Sequence, residues 1–358
     1  MKLTWATALA AVALSFSSDI VSALPVSIES RAAAPDVYNV NVKNLYPEDT
    51  VLDKSRGLLY QSNLWKGRIS VWNTANSNHF NLLIPGVSSD GSGSQQMAGL
   101  SINGAGDKLF AVAKDSGAFR FGSTQSKNGP SSFHRFDLPV NANSAPRWSV
   151  NLNGVQTAFA KSTGTRPFGP VDSAQDGQDN SYVVFALGRP AIAKISADGQ
   201  TVTPWYSEAS NGSERPGYTG IQYIPSANVL VAYGGPRPLT MFDLSQPNPV
   251  AVPVKITGGS FGSLTVTEKL TLVNRNGRNI LFGTKAPTVY SFTSTDNWRT
   301  AAMKTYTRNE FKSNSLTVVT EGNFNGGQQV YGGGAYFGEG ARGGRTQFPL
   351  YRIYNMLT

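Results

Sequence analysis

The chain has 358 residues, 40% of them hydrophobic, with no Cys and a formal charge of +9 from 31 Lys and Arg against 22 Asp and Glu. Disulfides, thiolate nucleophiles and Cys-containing zinc sites are therefore excluded, and the length allows one large core or two smaller ones. Only 15% of residues are charged while 37 Gly and 20 Pro are dispersed along the chain, a composition of many short strands and turns rather than of collagen, a disordered chain or a membrane bundle.

The first 23 residues read as a secretory signal. Lys2 supplies the charge, residues 6–16 the short apolar region, and Val21-Ser22-Ala23 a small-residue cleavage site. A membrane span needs about 20 apolar residues, and Asp19 interrupts this one too early. The expected location is the secretory pathway, ending outside the cell or in a vesicle or vacuole lumen, without membrane association. Residues 24–35 form a leader or linker, and residues 36–358 a single domain. Asn211-Gly212-Ser213 offers a glycosylation acceptor at Asn211.

From residue 50 onward, an apolar strand, a polar turn and a second apolar strand recur at residues 50–63, 100–113, 170–188, 221–234, 270–284 and 316–334. Marks placed at the turns (Asp53, Asn103, Asp172, Pro225, Asn274, Glu321) give spacings of 50, 69, 53, 49 and 47, the long one absorbing the Ser/Gly/Asn-rich insert around residues 122–129. A period of about 40–50 residues is that of a propeller. Each copy supplies two further strands, so the fold class is all-β, a six-bladed β-propeller with four-stranded blades. Val37-Tyr38-Asn39-Val40 is positioned to close the ring beside residues 349–354. A two-sheet sandwich is the rival architecture.

In such a ring the ligand face is built from the loops leading into the inner strands and those joining strands two and three. The second set carries a basic residue in every copy: Lys66 and Arg68 beside Trp65, then Lys114, Arg189, Arg237, Lys285 and Arg342. These side chains, with Tyr218, are expected to line one mouth and hold an oxygen-rich guest. The leading loops supply acids at Glu48-Asp49 and Glu268. Neighbouring carboxyls push one pKa up while basic neighbours lower another, so this trio is the expected proton-transfer set. Ordinary alternatives exist for each group: basic residues are common in solvated loops, and a carboxylate can cap loop amides or pair with Arg. Asp53 is explained by Asp/Ser/Gly turn chemistry.

Other chemistries find little to build on. His79 and His134, the two histidines, fall in outer strands, which argues against a triad or a His-based metal site. The glycine runs at 332–334 and 338–344 lack the Lys-Ser/Thr of a phosphate loop. No run of five Lys or Arg occurs, and the tryptophans fit packing between blades better than base stacking, so no nucleic-acid partner is expected.

The run Pro47-Glu48-Asp49-Thr50-Val51-Leu52-Asp53, with residues 57–72 (GLLYQSNLWKGRISVW), Thr165-Arg166-Pro167-Phe168-Gly169 and Gly234-Gly235-Pro236-Arg237-Pro238, resembles the secreted fungal propellers typified by protein fourteen of the trichothecene core cluster. That resemblance implies a fold related to gluconolactonase-like propellers and a role in sesquiterpenoid mycotoxin biosynthesis or virulence. Three functions follow from it. One is a cofactor-free cyclase closing the toxin's pyran ring, with Glu48, Asp49 and Glu268 moving protons and Arg189 and Arg237 holding oxygens of a sesquiterpenoid intermediate. Another is a non-catalytic effector meeting a plant host target. The third is a metal-dependent lactonase, for which Glu48 matches a ligand but Gly169 and Gly220 replace expected amides. A monomer without bound metal is expected.

Overall fold

The computed structural model describes residues 34–115, 117, 129–209, 214–235, 238–261, 267–322 and 328–357. The signal region, most of the leader, Asn211 and Arg237 lie outside the described residues.

Strand β1 (Val37–Val40) comes first and belongs to the last blade. Blade 1 is β2 (Pro47–Asp53), β3 (Leu58–Asn63), β4 (Arg68–Asn73) and β5 (His79–Leu83). Blade 2 is β6 (Gln95–Ile102), β7 (Lys108–Asp115), β8 (Ser132–Asp137) and β9 (Trp148–Asn151), followed by helix α1 (Asn153–Thr163). Blade 3 runs from β10 (Phe168–Gln175) through β11 (Ser181–Leu187) and β12 (Ala191–Ile195) to β13 (Val202–Ser207). Blade 4 has β14 (Tyr218–Ile224), β15 (Val229–Gly234), β16 (Leu239–Asp243) and the short β17 (Val252–Pro253). Strand β18 (Lys255–Thr257) then adds in parallel to the rim of blade 5, which is β19 (Leu270–Arg275), β20 (Arg278–Lys285), β21 (Thr288–Thr293) and β22 (Thr300–Thr307). After helix α2 (Glu310–Ser313), β23 (Leu316–Gly322), β24 (Gln329–Gly334) and β25 (Phe348–Ile353) make blade 6 with β1, Val37 facing Tyr351 and Val40 facing Phe348. This is the expected six-bladed, four-stranded ring.

Burial follows from position in the blade. Inner strands are covered on both faces by neighbouring blades, so β23 is buried along its whole length, whereas the fourth strand β22 exposes Ala302, Lys304, Thr305 and Thr307. The apolar side chains gather in six clusters, each spanning two adjacent blades; blades 6 and 1 are joined by Val40, Leu59, Trp72, Phe348 and Leu350. The β19–β20 hairpin turns on Asn276-Gly277, with φ of 52° and 77°, the left-handed pair a two-residue turn requires.

Three features depart from the sequence reading. Of the turn marks, Asp53, Asn274 and Glu321 sit in the last two residues of β2, β19 and β23, and Asp172 sits mid-strand in β10; the turn of blade 3 falls instead at Asp176–Asn180, where Asp176 Oδ1 accepts from the Gln178 and Asn180 amides. Helix α1 was not foreseen. It docks Val155, Gln156 and Phe159 against blades 2 and 3 and ends at Gly164, φ 74°, whose N–H reaches Ala160 O. The parallel strand β18 is the third.

Candidate functional site

Four inner strands carry a bulge near their start, between Pro47 and Asp49, Pro170 and Asp172, Tyr218 and Gly220, and Leu316 and Val318; β6 shifts register between Met97 and Leu100. The inner strand's free edge faces the channel, leaving N–H and C=O groups without a ladder partner. Side chains at two of the bulges each satisfy one of them. Asp49 accepts the Leu100 N–H of the next blade at 2.6 Å, and Asp172 accepts the Ile221 N–H of the next blade at 2.9 Å. Lys269 reaches across the axis from blade 5 to Asp49 and to Leu100 O (2.6 Å), and stands 3.9 Å from Asp172.

Close approach explains the intervening glycines. A Cβ on Gly99 would lie 2.4 Å from Val171 O, and one on Gly220 would lie 2.4 Å from the Leu270 nitrogen. Gly220 is thus required by packing between blades 4 and 5. One ammonium between two carboxylates leaves the second short of charge, and burial with nearby Asp49 pushes the Asp172 carboxyl up to about 7.

Nearer the mouth, Glu48 lies at the bulge of β2 and its Oε1 accepts from Lys114 Nζ of blade 2 at 2.6 Å. Lys114 is 2% exposed and Glu48 12%, so the pair is largely withdrawn from water. Glu48 Oε2 is buried and has no hydrogen-bond partner among the described residues. Glu268, just ahead of β19, is tied by backbone bonds to Thr284 O and Thr219 Oγ1. Burial, then repulsion from Glu48, raises its carboxyl to about 8 against the opposing pull of Lys114, so it is a neutral acid near pH 7. The cluster thus sets a protonated carboxyl beside an ion-paired carboxylate, the complement needed to give one proton and take another.

Of the described basic residues, Lys66, Arg189 and Arg342 fall in the second-to-third-strand connections, while Arg68, Lys114 and Lys285 lie in the strand ends beside them, and the environments differ. Lys66 and Arg68 are half-buried beside Trp65, and burial lowers both pKa values. Lys285, at the end of β20, is partly exposed. Arg189 is 1% exposed and donates from Nη1 to Thr163 O at the last turn of α1 (3.3 Å). Tyr218 is equally buried, its ring edge-on to Phe242. Asp49, expected beside Glu48 as a proton-transfer group, has its Oδ1 on the Thr50 amide and its Oδ2 on Leu100 and Lys269.

Sequence reasoning missed the Glu48–Lys114 pairing and the whole Asp49–Lys269–Asp172 layer. The available signals were a lysine closing the otherwise apolar run KLFAVA, and Glu268-Lys269 at the position equivalent to Glu48-Asp49. His134 is peripheral, bonded to Ser132 and Ser149, with burial lowering its pKa to about 4. Among the described residues no three His, Asp or Glu side chains group to hold a metal. The donor set does not fit a divalent cation, because the Lys114 and Lys269 ammoniums already supply the countercharge to Glu48 and Asp49.

Comparison with known proteins gives a consistent lineage. The family model described as Mal s 1 allergenic protein-like matches residues 22–316. Major allergen Mal f 1 of Malassezia furfur is 48% identical over 355 residues, 99% of each chain. Trichothecene biosynthesis protein 14 of Trichoderma arundinaceum is 24% identical over 246 residues, 66% of this chain and 63% of that one, so the similarity expected from the first-blade motif is present but weak. The crystal structure of the major Malassezia sympodialis allergen Mala s 1 superposes with a TM-score of 0.87 at 48% identity, covering 91% of this chain and 98% of that one. A Xanthomonas campestris gluconolactonase, at 10% identity and a TM-score of 0.52 over 88% and 89% of the two chains, shares the fold.

Proposed function

The chain belongs to the Mal s 1 allergenic protein-like family, and from that premise we propose a secreted propeller that closes an ether ring in a hydroxylated sesquiterpenoid by acid–base catalysis. The weaker similarity to a trichothecene biosynthesis protein suggests the substrate class. The observation that carries the reading is the contrast between two carboxyls at one mouth, Glu48 paired with Lys114 and Glu268 pushed up to about 8.

Glu268 gives its proton to a departing allylic hydroxyl, which leaves as water. Glu48 takes the proton from the substrate hydroxyl whose oxygen forms the new C–O bond, so the products are the cyclic ether and water. Lys114 fixes Glu48 through Oε1 and leaves Oε2 to accept. Trp65, Lys66, Arg68 and Lys285 form the rim that holds substrate oxygens; buried Arg189 and Tyr218 support the walls. The enzyme would work as a monomer, with no cofactor, in the secretory pathway or outside the cell.

The test is conversion of an acyclic sesquiterpenoid diol, measured against the spontaneous acid-catalysed background. Positioned acid–base groups contribute about 10² to 10⁴ in rate, so Glu268→Gln and Glu48→Gln should each lose that much while keeping the fold. Wild-type turnover no faster than background ends the catalytic reading. A binding propeller without turnover is the second reading, favoured by the deep burial of Lys114; it is selected if the diol binds saturably and is returned unchanged.

A further inference from the structure

The Asp49–Lys269–Asp172 layer crosses the channel, and a chamber on one side of it reaches Lys269. That chamber opens at the end of the ring where strands one and two of each blade turn, opposite the mouth holding Glu48 and Glu268. Its outer part is about 470 Å³ and is lined by Leu52, Ile102 and Leu272 from three inner strands, interleaved with Ser101, Ser173 and Gln222, with the Lys54–Glu321 ion pair at the edge. A narrower part of about 150 Å³ continues inward to Lys269.

The lining sets the chemistry of the occupant. The three aliphatic side chains are only partly buried, although each packs on a core cluster or lines this cavity. They make a collar of three apolar contacts set between polar side chains, where an aliphatic chain gains burial and the polar groups stay hydrated. Lys269 roofs the inner part at 8% exposure and has three N–H groups. Two are taken by Asp49 and Leu100 O, and Asp172 Oδ1 at 3.9 Å is beyond hydrogen-bond reach. One donor therefore remains for an oxygen arriving through the collar. The adjacent Asp49 already balances the ammonium, so a second negative charge at the roof gains little and is desolvated at a cost.

We propose that this chamber is a second binding site, for an uncharged aliphatic molecule tipped by a carbonyl or hydroxyl oxygen, the chain filling the collar and the oxygen accepting from Lys269. The proposal does not depend on the ring-closing reading, because the layer between the two mouths shares no side chain with the Glu48–Lys114–Glu268 cluster.

Calorimetric titration of the full chain with 2-nonanone, nonane and nonanoate tests it. Saturable binding of 2-nonanone is expected, with nonane weaker by about tenfold, the worth of one net hydrogen bond, and nonanoate weaker because its carboxylate must be desolvated at a roof whose charge Asp49 already balances. Leu272→Trp fills the collar and should weaken 2-nonanone by about tenfold or more, with circular dichroism confirming the fold. Ile102→Trp, on a different blade, serves if that variant does not fold. On the wild-type chain, methyl NMR shifts should concentrate at Leu52, Ile102 and Leu272. Absence of saturable binding, tightest binding of nonanoate, unchanged affinity in a folded Trp variant, or shifts at the opposite mouth would each overturn the assignment.

Discussion

Lys269 joins parts of the ring that no backbone ladder connects. It comes from blade 5, binds the carboxylate of blade 1 and a carbonyl of blade 2, and faces the Asp172 carboxyl of blade 3. Removing its charge strands Asp49 at 1% exposure with only amide donors. Lys269→Met should therefore cost about 3–5 kcal/mol by chemical denaturation, and Asp49→Asn combined with it should recover part of that loss. A single variant as stable as the parent would mean the ion pair is dispensable. Gly220→Ala probes the same region sterically. Its Cβ would sit 2.4 Å from the Leu270 nitrogen, so blade 5 must shift, at a cost of about 1–3 kcal/mol in the same measurement.

At the scale of strands, ring closure rests on four residues. Val40 is fully buried among Leu59, Trp72, Phe348 and Leu350, and the β1 end is further tied by Arg308 to Asp36 and by Tyr331 to Pro35 O. Val40→Ala should cost about 2 kcal/mol from lost burial and the cavity left behind, with a lowered denaturation midpoint as the readout. This closing strand was legible in the sequence, as were the paired inner strands, because burial on both faces writes a continuous apolar run that turns punctuate. Helix α1 was not legible: the segment NGVQTAFAKST buries only Val155, Gln156 and Phe159, a stripe too thin to stand out. The site was half legible. Glu48 and Glu268 are visible as acids at strand starts, but the Lys114 partner depends on how adjacent blades are set against each other, which no single strand encodes. Asp49 illustrates the converse, since its neighbourhood in sequence suggests chemistry while its neighbourhood in space supplies backbone amides.

For the whole molecule, the charge pattern fixes how stability responds to pH. Glu268 and Asp172, raised to about 8 and about 7, hold protons in the folded state that the unfolded chain releases near pH 4. Folded protein binding more protons than unfolded means stability falls as pH rises through that interval. Asp36, held at about 2 chiefly by its Arg308 hydrogen bonds, works the other way, and its contribution disappears as pH falls below 4 toward 2. Urea midpoints measured from pH 3 to 9 should peak near pH 4–5 and decline toward 8, and Glu268→Gln should flatten that decline. A midpoint that climbs steadily to pH 8 would contradict the assignment of a neutral Glu268.

The pairing of Val37 with Tyr351 also orders events during synthesis. The two positions are 314 residues apart, and at roughly 5–20 residues per second the first strand waits on the order of 15–60 s for its partner to be made. Throughout that interval blade 1 presents an uncovered flank and β1 an unpaired edge, both of the kind that aggregates. The earliest-made strand is the last to dock, so a ribosome halted before residue 348 holds an open crescent, and only a finished chain can become a ring.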